Sequence, residues 1–193
     1  MLGKRFNAVA RATLVLLAVA VVLVLGAYAW IHHDGNVHVV QAGQFYRSQQ
    51  LDPELLAAVV EKHAIRSVIN LRGANPGKPW YEQEIAESRA LKVAHFDYAL
   101  SARQKVSPEQ IAEILAIIRT APKPLLVHCK AGADRTGLIS AVYEFEVEGK
   151  TPQEADQQLA IRYGHFPYLT SKTSAMDDSF WSYVNGRKRL GAR

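Results

Sequence analysis

The stretch 125-LLVHCKAGADRTGL-138 constrains this chain more than any other. An apolar run ends in His128-Cys129, five residues follow, and Arg135-Thr136-Gly137 opens a second apolar segment. A buried strand that turns through a short loop into a helix is the joint of an α/β fold. Such folds keep their ligands at the carboxyl edge of the sheet. Gly132, with Ala131 and Ala133 beside it, keeps bulky side chains out of the loop, so backbone N–H groups can converge on one point. With the helix N-terminus they form an anion nest spanning Lys130, Ala131, Gly132, Ala133, Asp134, Arg135 and Thr136. Arg135 can reach back with a bidentate fork suited to two phosphate oxygens. Cys129, the only cysteine among 193 residues, lies at the base of the nest. The field that attracts an anion there also favours thiolate over thiol.

A thiolate beneath a bound phosphate is placed for in-line attack on phosphorus, while Arg135 and the amides hold the equatorial oxygens. Thr136 can hydrogen-bond the thiolate and help to expel it from the phosphocysteine. This chemistry needs neither metal nor cofactor. The loop lacks the Gly-Lys-Ser/Thr ending of a Walker motif. Neighbours on a strand face opposite ways, so His128 reads as a hydrogen-bonded structural histidine rather than a base for Cys129. A single cysteine excludes an internal disulfide and any multi-cysteine metal site.

The rest of the chain alternates strand-like and helix-like segments. Short strands are expected at 37–40, 45–47, 67–71, 93–98 and 124–128. Helices are expected from Asp52-Pro53 to about 63, over 81–90, from Ser107-Pro108 through Ile111, Ile114, Leu115 and Ile118, over 135–147, from Thr151-Pro152 to about 163, and over 177–184. The pattern predicts an α/β domain with a central, mostly parallel sheet flanked by helices on both faces.

Residues 12–31 carry no charge, and twenty residues at helical rise span roughly the 30 Å of a hydrocarbon core. Lys4, Arg5 and Arg11 precede the run, so the positive-inside rule translocates the chain beyond residue 31. We expect residues 1–31 to be an uncleaved signal-anchor, with a signal peptide cleaved after Ala29 as the alternative. Residues 32–186 then form an extracytoplasmic domain, in a bacterial periplasm, and 187–193 a basic tail. Without seven terminal cations (Lys4, Arg5, Arg11, Arg187, Lys188, Arg189 and Arg193), 16 of the 23 Lys and Arg remain against 18 Asp and Glu. The middle is slightly acidic, which argues against a nucleic-acid partner.

The pattern His128-Cys129, five residues, Arg135-Thr136-Gly137 resembles the cysteine-dependent phosphatases that dephosphorylate tyrosine and often serine or threonine. The segments GQFYRSQQL, SVINLRG and YGHFPYL extend the resemblance over about residues 43–183. Together they are similar to small bacterial dual-specificity-type enzymes, in particular periplasmic tyrosine phosphatases linked to biofilm control. The resemblance implies a dual-specificity phosphatase-like fold, Cys129 as nucleophile, Lys130–Arg135 as phosphate loop and Arg135 as transition-state clamp. It implies a phosphotyrosine protein as substrate, with a membrane signalling protein as the expected partner. The general acid is the departure, because loop 101–107 (SARQKVS) holds no aspartate. Asp97, 32 residues before Cys129, is the candidate from spacing; it should then sit at the carboxyl edge with its carboxyl facing the thiol. Asp134 is the reserve, and absence of a dedicated acid is the third case. Other activities compatible with the loop are inositol-phosphate or phospholipid hydrolysis, phosphate capture by a pseudophosphatase, and sulfur transfer. Arg47 and Arg72 are expected in pairing roles, His165 as a structural brace for the nest, and Trp80 and Tyr81 at its mouth or in surface packing.

Overall fold

The computed structural model describes the backbone of residues 2–191; the side chains of Lys4, Arg5, Lys188 and Arg193 lie outside the described ones. After helix α1 (Leu2–His32), a five-stranded sheet is built from β1 (His38–Gln41), β2 (Phe45–Ser48), β3 (Ser67–Asn70), β4 (Ala94–Asp97) and β5 (Leu125–His128). The strand order is β1-β2-β5-β3-β4, all parallel except β1, which runs antiparallel to β2. β5 is therefore central, and the loop after it opens at the carboxyl edge.

Residue alternation splits the core into two layers. Phe45, Ile69, Leu125 and Val127 pack under α4 (Pro108–Thr120), α5 (Asp134–Glu146) and α7 (Ser174–Gly191). Tyr46, Val68 and Leu126 pack on the other face with Leu56 and Val59 of α2 (Pro53–His63). α3 (Pro79–Ala90) lies beside α2 on that face. Burial of Ile111, Ile114, Leu115 and Ile118 on α4 contributes about 1.5–3 kcal/mol per side chain. Asp52 caps α2 by accepting from Leu55 N, and Ser107 and Gln110 form a capping box on α4.

One expected helix is broken. Thr151 and Glu154 cap α6 as a capping box, but α6 ends at Ala155 (Pro152–Ala155) and two 3-10 turns, Asp156–Gln158 and Ile161–Tyr163, replace the rest. The reason is tertiary: the buried guanidinium of Arg47 binds both the carbonyl and the side chain of Gln158. The last helix is longer than expected and absorbs the start of the basic tail, where Arg187 pairs with Glu146 at 2.7 Å.

Among the described residues no helix is long and apolar enough to cross a membrane. The side chains of α1 are described without interruption only over 13–27, short of the roughly 20 residues a span needs. Those that are described are exposed and mostly apolar, Leu16 at 70%.

Candidate active site

Cys129 is 2% exposed and sits where β5 ends, packed into the α5 side of the core. The loop then turns at Gly132, whose φ of +71° is open to glycine and rarely to other residues. A Cβ at this position would lie 2.7 Å from the backbone of Ser48 and Gln49, so only glycine lets the loop press against the end of β2. Its curvature is held from behind. Arg47, with no exposed surface, donates from Nη2 to Gly132 O at 2.7 Å and from Nη1 to Gln158 O at 2.8 Å. Burial lowers the Arg47 pKa to about 10, which still leaves it charged at neutral pH. Pulling a carbonyl outward turns the neighbouring amides inward, which is what an anion nest requires.

Arg135, in the first turn of α5, donates from Nη1 to Leu71 O and Leu100 O, both at 3.2 Å. These bonds pin the guanidinium between the ends of β3 and β4, while its buried Nε has no partner. Thr136 is fully buried and its Oγ1 is also without a partner, so the expected bond to the Cys129 sulfur is not made in this structure. Lys130 is exposed and Ala133 buried.

Asp134 points at His165: Oδ1 lies 2.7 Å from Nδ1, and His165 Nε2 lies 3.0 Å from Asp177 Oδ2. Burial opposes a charge on His165, but the two carboxylates outweigh it and raise its pKa to about 9. The imidazolium neutralises the carboxylate that would otherwise repel a phosphate. His165 is thus the brace expected of it, with an electrostatic role that spacing did not reveal.

Asp97 meets half of its condition. It ends β4 at the carboxyl edge, in one register row with Asn70 and His128. That row faces α3, whereas Cys129, one residue further on, packs on the α5 side. Asp97 stands two strands from β5, or roughly 10 Å. Its Oδ1 accepts from Asn70 Nδ2 at 2.8 Å and its Oδ2 from the Tyr81 hydroxyl at 2.6 Å. The carboxyl therefore secures the ends of β3 and β4 and does not face the thiol. His128 bonds Glu84 at 3.1 Å, as a structural histidine would. Burial alone would raise the Glu84 pKa, but His128 and His95 outweigh it and hold it well below the usual range. Arg72 lies over the Trp80 ring at 3.3 Å and bonds Gln50, so Trp80 packs a cation beside the nest.

Asn36 is the site residue that motif reading missed. Fully buried, it donates Nδ2 to Ala131 O at 2.9 Å and to Tyr163 O at 3.0 Å, fastening the outer wall of the nest. Among the described residues no group of three or more His, Cys, Asp or Glu is arranged to hold a metal.

A mostly parallel sheet whose central strand delivers a cysteine into an amide nest closed by an arginine defines a cysteine-dependent phosphatase. Residues 17–178 match the family described as DSP-PTPase phosphatase fused to NAD+ kinase, and the chain belongs to that family. Its fold is that of TpbA from P. aeruginosa, at 21% identity over 78% of this chain and 92% of that one, with a TM-score of 0.58. A Cys-to-Ser form of TpbA has been solved with pTyr. The core catalytic domain of the PP-IP phosphatase SIW14 from S. cerevisiae shares 16% identity over 80% and 93% of the two chains, with a TM-score of 0.59. PTPMT1 in complex with PI(5)P shares 14% over 78% and 98%, with a TM-score of 0.53. A comparison with curated proteins finds no match.

Proposed function

We propose that this phosphatase hydrolyses phosphotyrosine on protein substrates through a phosphocysteine intermediate, from a domain held at the outer face of a bacterial inner membrane. The nest carries the proposal: Cys129 is buried at its base, Gly132 is drawn back by Arg47, and Arg135 keeps a buried, unpartnered Nε. The Cys129 thiolate attacks phosphorus, the bond to the tyrosine oxygen breaks, and water then cleaves the S–P bond to release phosphate and thiolate. Arg135 and the loop amides stabilise the charge spread over the equatorial oxygens in both steps.

Tyrosine preference follows from the leaving group. Loop 101–107 holds no carboxylate, Asp97 is engaged on both oxygens away from the thiol, and Asp134 is paired with His165. Without a positioned acid, a phenolate (pKa about 10) departs far more readily than an alkoxide. The anchor is supported by the uncharged run 12–31 and by the exposed Leu14, Leu16, Val22 and Leu23 of α1. A second activity, on inositol phosphates or phospholipid headgroups, is favoured by one observation: Arg72 donates to the Gln50 side chain at 3.1 Å, and Gln50 N donates to Lys130 O at 3.3 Å, so a second cation borders the nest.

The test compares a phosphotyrosine peptide, the matching phosphoserine peptide and an inositol polyphosphate, with and without orthovanadate, beside Cys129→Ser. We expect the phosphotyrosine peptide to lead by at least about 10²-fold, with activity abolished by the substitution and by vanadate. Equal rates on the two peptides would remove the leaving-group argument; hydrolysis by Cys129→Ser would remove the mechanism.

A further inference from the structure

We propose that loop 164–169 is a second membrane contact, which seats the catalytic edge of the sheet against the bilayer that holds α1. This rests on the anchor proposed above. The topology supplies the first argument. Because β1 runs antiparallel to β2, its first residue, His38, stands opposite Arg47, beside the carboxyl edge where Cys129 emerges. The chain leaving α1 at His32 therefore enters the domain at the catalytic edge, and the five residues between His32 and His38 span at most roughly 20 Å. Nor does that connection swing freely. Gly35 O accepts from Gln49 N at 2.9 Å, and Asn36 bonds both Ala131 O and Tyr163 O. The anchor's exit is thus built into the wall of the nest and into the start of the loop.

From Tyr163 the loop runs outward with its apolar side chains uncovered. Phe166 is 45% exposed, Tyr168 62% and Leu169 93%, with Ile161 beside them in sequence at 64%. Phe166 and Tyr168 pack edge to face at 5.2 Å, giving a small aromatic platform. Leu169 adopts φ +62°, a left-handed conformation that bulky residues rarely take, and in it the side chain projects almost wholly into solvent. Cations flank the platform: Arg162 is exposed on the preceding turn, and Arg103 and Lys172 share a hollow with Thr170, Ser171 and Thr173. An aromatic–leucine tip with Arg162 on one side and Arg103 and Lys172 on the other matches a headgroup layer with anionic lipid, where rings sit at the polar boundary and cations meet phosphate. One acidic residue, Asp156, shares a hollow with Tyr168 at its base. His165, inside the loop, is fixed to Asp134, so this contact lies one hydrogen bond from the nest.

The experiment uses the full chain, with Cys129→Ser removing the native thiol, in vesicles of phosphatidylethanolamine and phosphatidylglycerol. An environment-sensitive fluorophore is attached through Leu169→Cys on the loop, Val22→Cys on α1, or Arg66→Cys, which lies at the opposite edge of the sheet before β3. Nitroxide-labelled lipid should quench the Val22 and Leu169 probes at least threefold more than the Arg66 probe. Quenching at Val22 with none at Leu169 overturns the loop contact and leaves the anchor intact. No quenching at either position overturns the anchor, and this contact with it. Leu169→Glu in the otherwise native chain should hydrolyse p-nitrophenyl phosphate in detergent within twofold of the native rate; a larger loss would show that Leu169 supports the nest itself and would overturn its assignment to the lipid surface.

Discussion

His165 Nδ1 lies 2.7 Å from Asp134 Oδ1, so a buried imidazole holds the carboxylate of the anion loop. Its second nitrogen is held by Asp177, and the pair of carboxylates raises its pKa from 6.5 to about 9. A raised folded-state pKa stabilises fully below the unfolded value and is lost as pH climbs through the folded one. Stability should therefore fall between about pH 6.5 and 9. Asp134 and Asp177 are partly exposed (22% and 30%), so solvent screens the pairs and the loss should be on the order of 1–2 kcal/mol. Urea titrations at pH 6, 7.5 and 9 on native protein and His165→Gln measure it. A native profile as flat as that of the variant would dismiss the bridge.

Arg47 is a buried cation bonded to the backbone carbonyls of Gly132 and Gln158 and to the Gln158 side-chain oxygen, and removing it strands those acceptors. Arg47→Ala should destabilise the fold by about 3–5 kcal/mol. Arg47→Lys keeps the charge but cannot span Gly132 and Gln158 together. We expect it to fold and to lose at least about tenfold in kcat, since one carbonyl of the nest is no longer drawn back. Kinetics on p-nitrophenyl phosphate beside a thermal melt separate the two effects.

Gly132→Ala places a Cβ 2.7 Å from the backbone of β2's last residue at a φ of +71°. The loop must lift, and the amides no longer converge. Orthovanadate affinity should fall by about 10²-fold or more, with the circular dichroism spectrum retained. Native affinity in this variant would mean that the nest tolerates the shift.

Asp97 faces α3 with both oxygens engaged, so Asp97→Asn should change turnover on a phosphotyrosine peptide by less than about threefold. Its cost should appear instead in stability, about 1 kcal/mol, through the bonds to Asn70 and Tyr81. A fall of about 10²-fold in turnover would restore Asp97 as the general acid.

What the sequence determined by itself is local. The run 125–138 announces strand, small-residue loop and helix start within fourteen consecutive residues, and that is where Cys129, Gly132 and Arg135 lie. Asp52, Ser107 and Thr151 mark helix starts because a cap acts over three residues. The tertiary structure alone decided what surrounds the nest. Arg47 reaches Gly132 across 85 residues, Asn36 reaches Tyr163 across 127, and His165 reaches Asp134 across 31; no periodicity encodes such pairs. The same holds for the break after Ala155, where capping and composition favour a helix but a buried guanidinium 111 positions away takes the Gln158 carbonyl. Asp97 shows the limit most clearly: its spacing from Cys129 was legible, but the face it presents depends on the register of three strands, which only their packing sets.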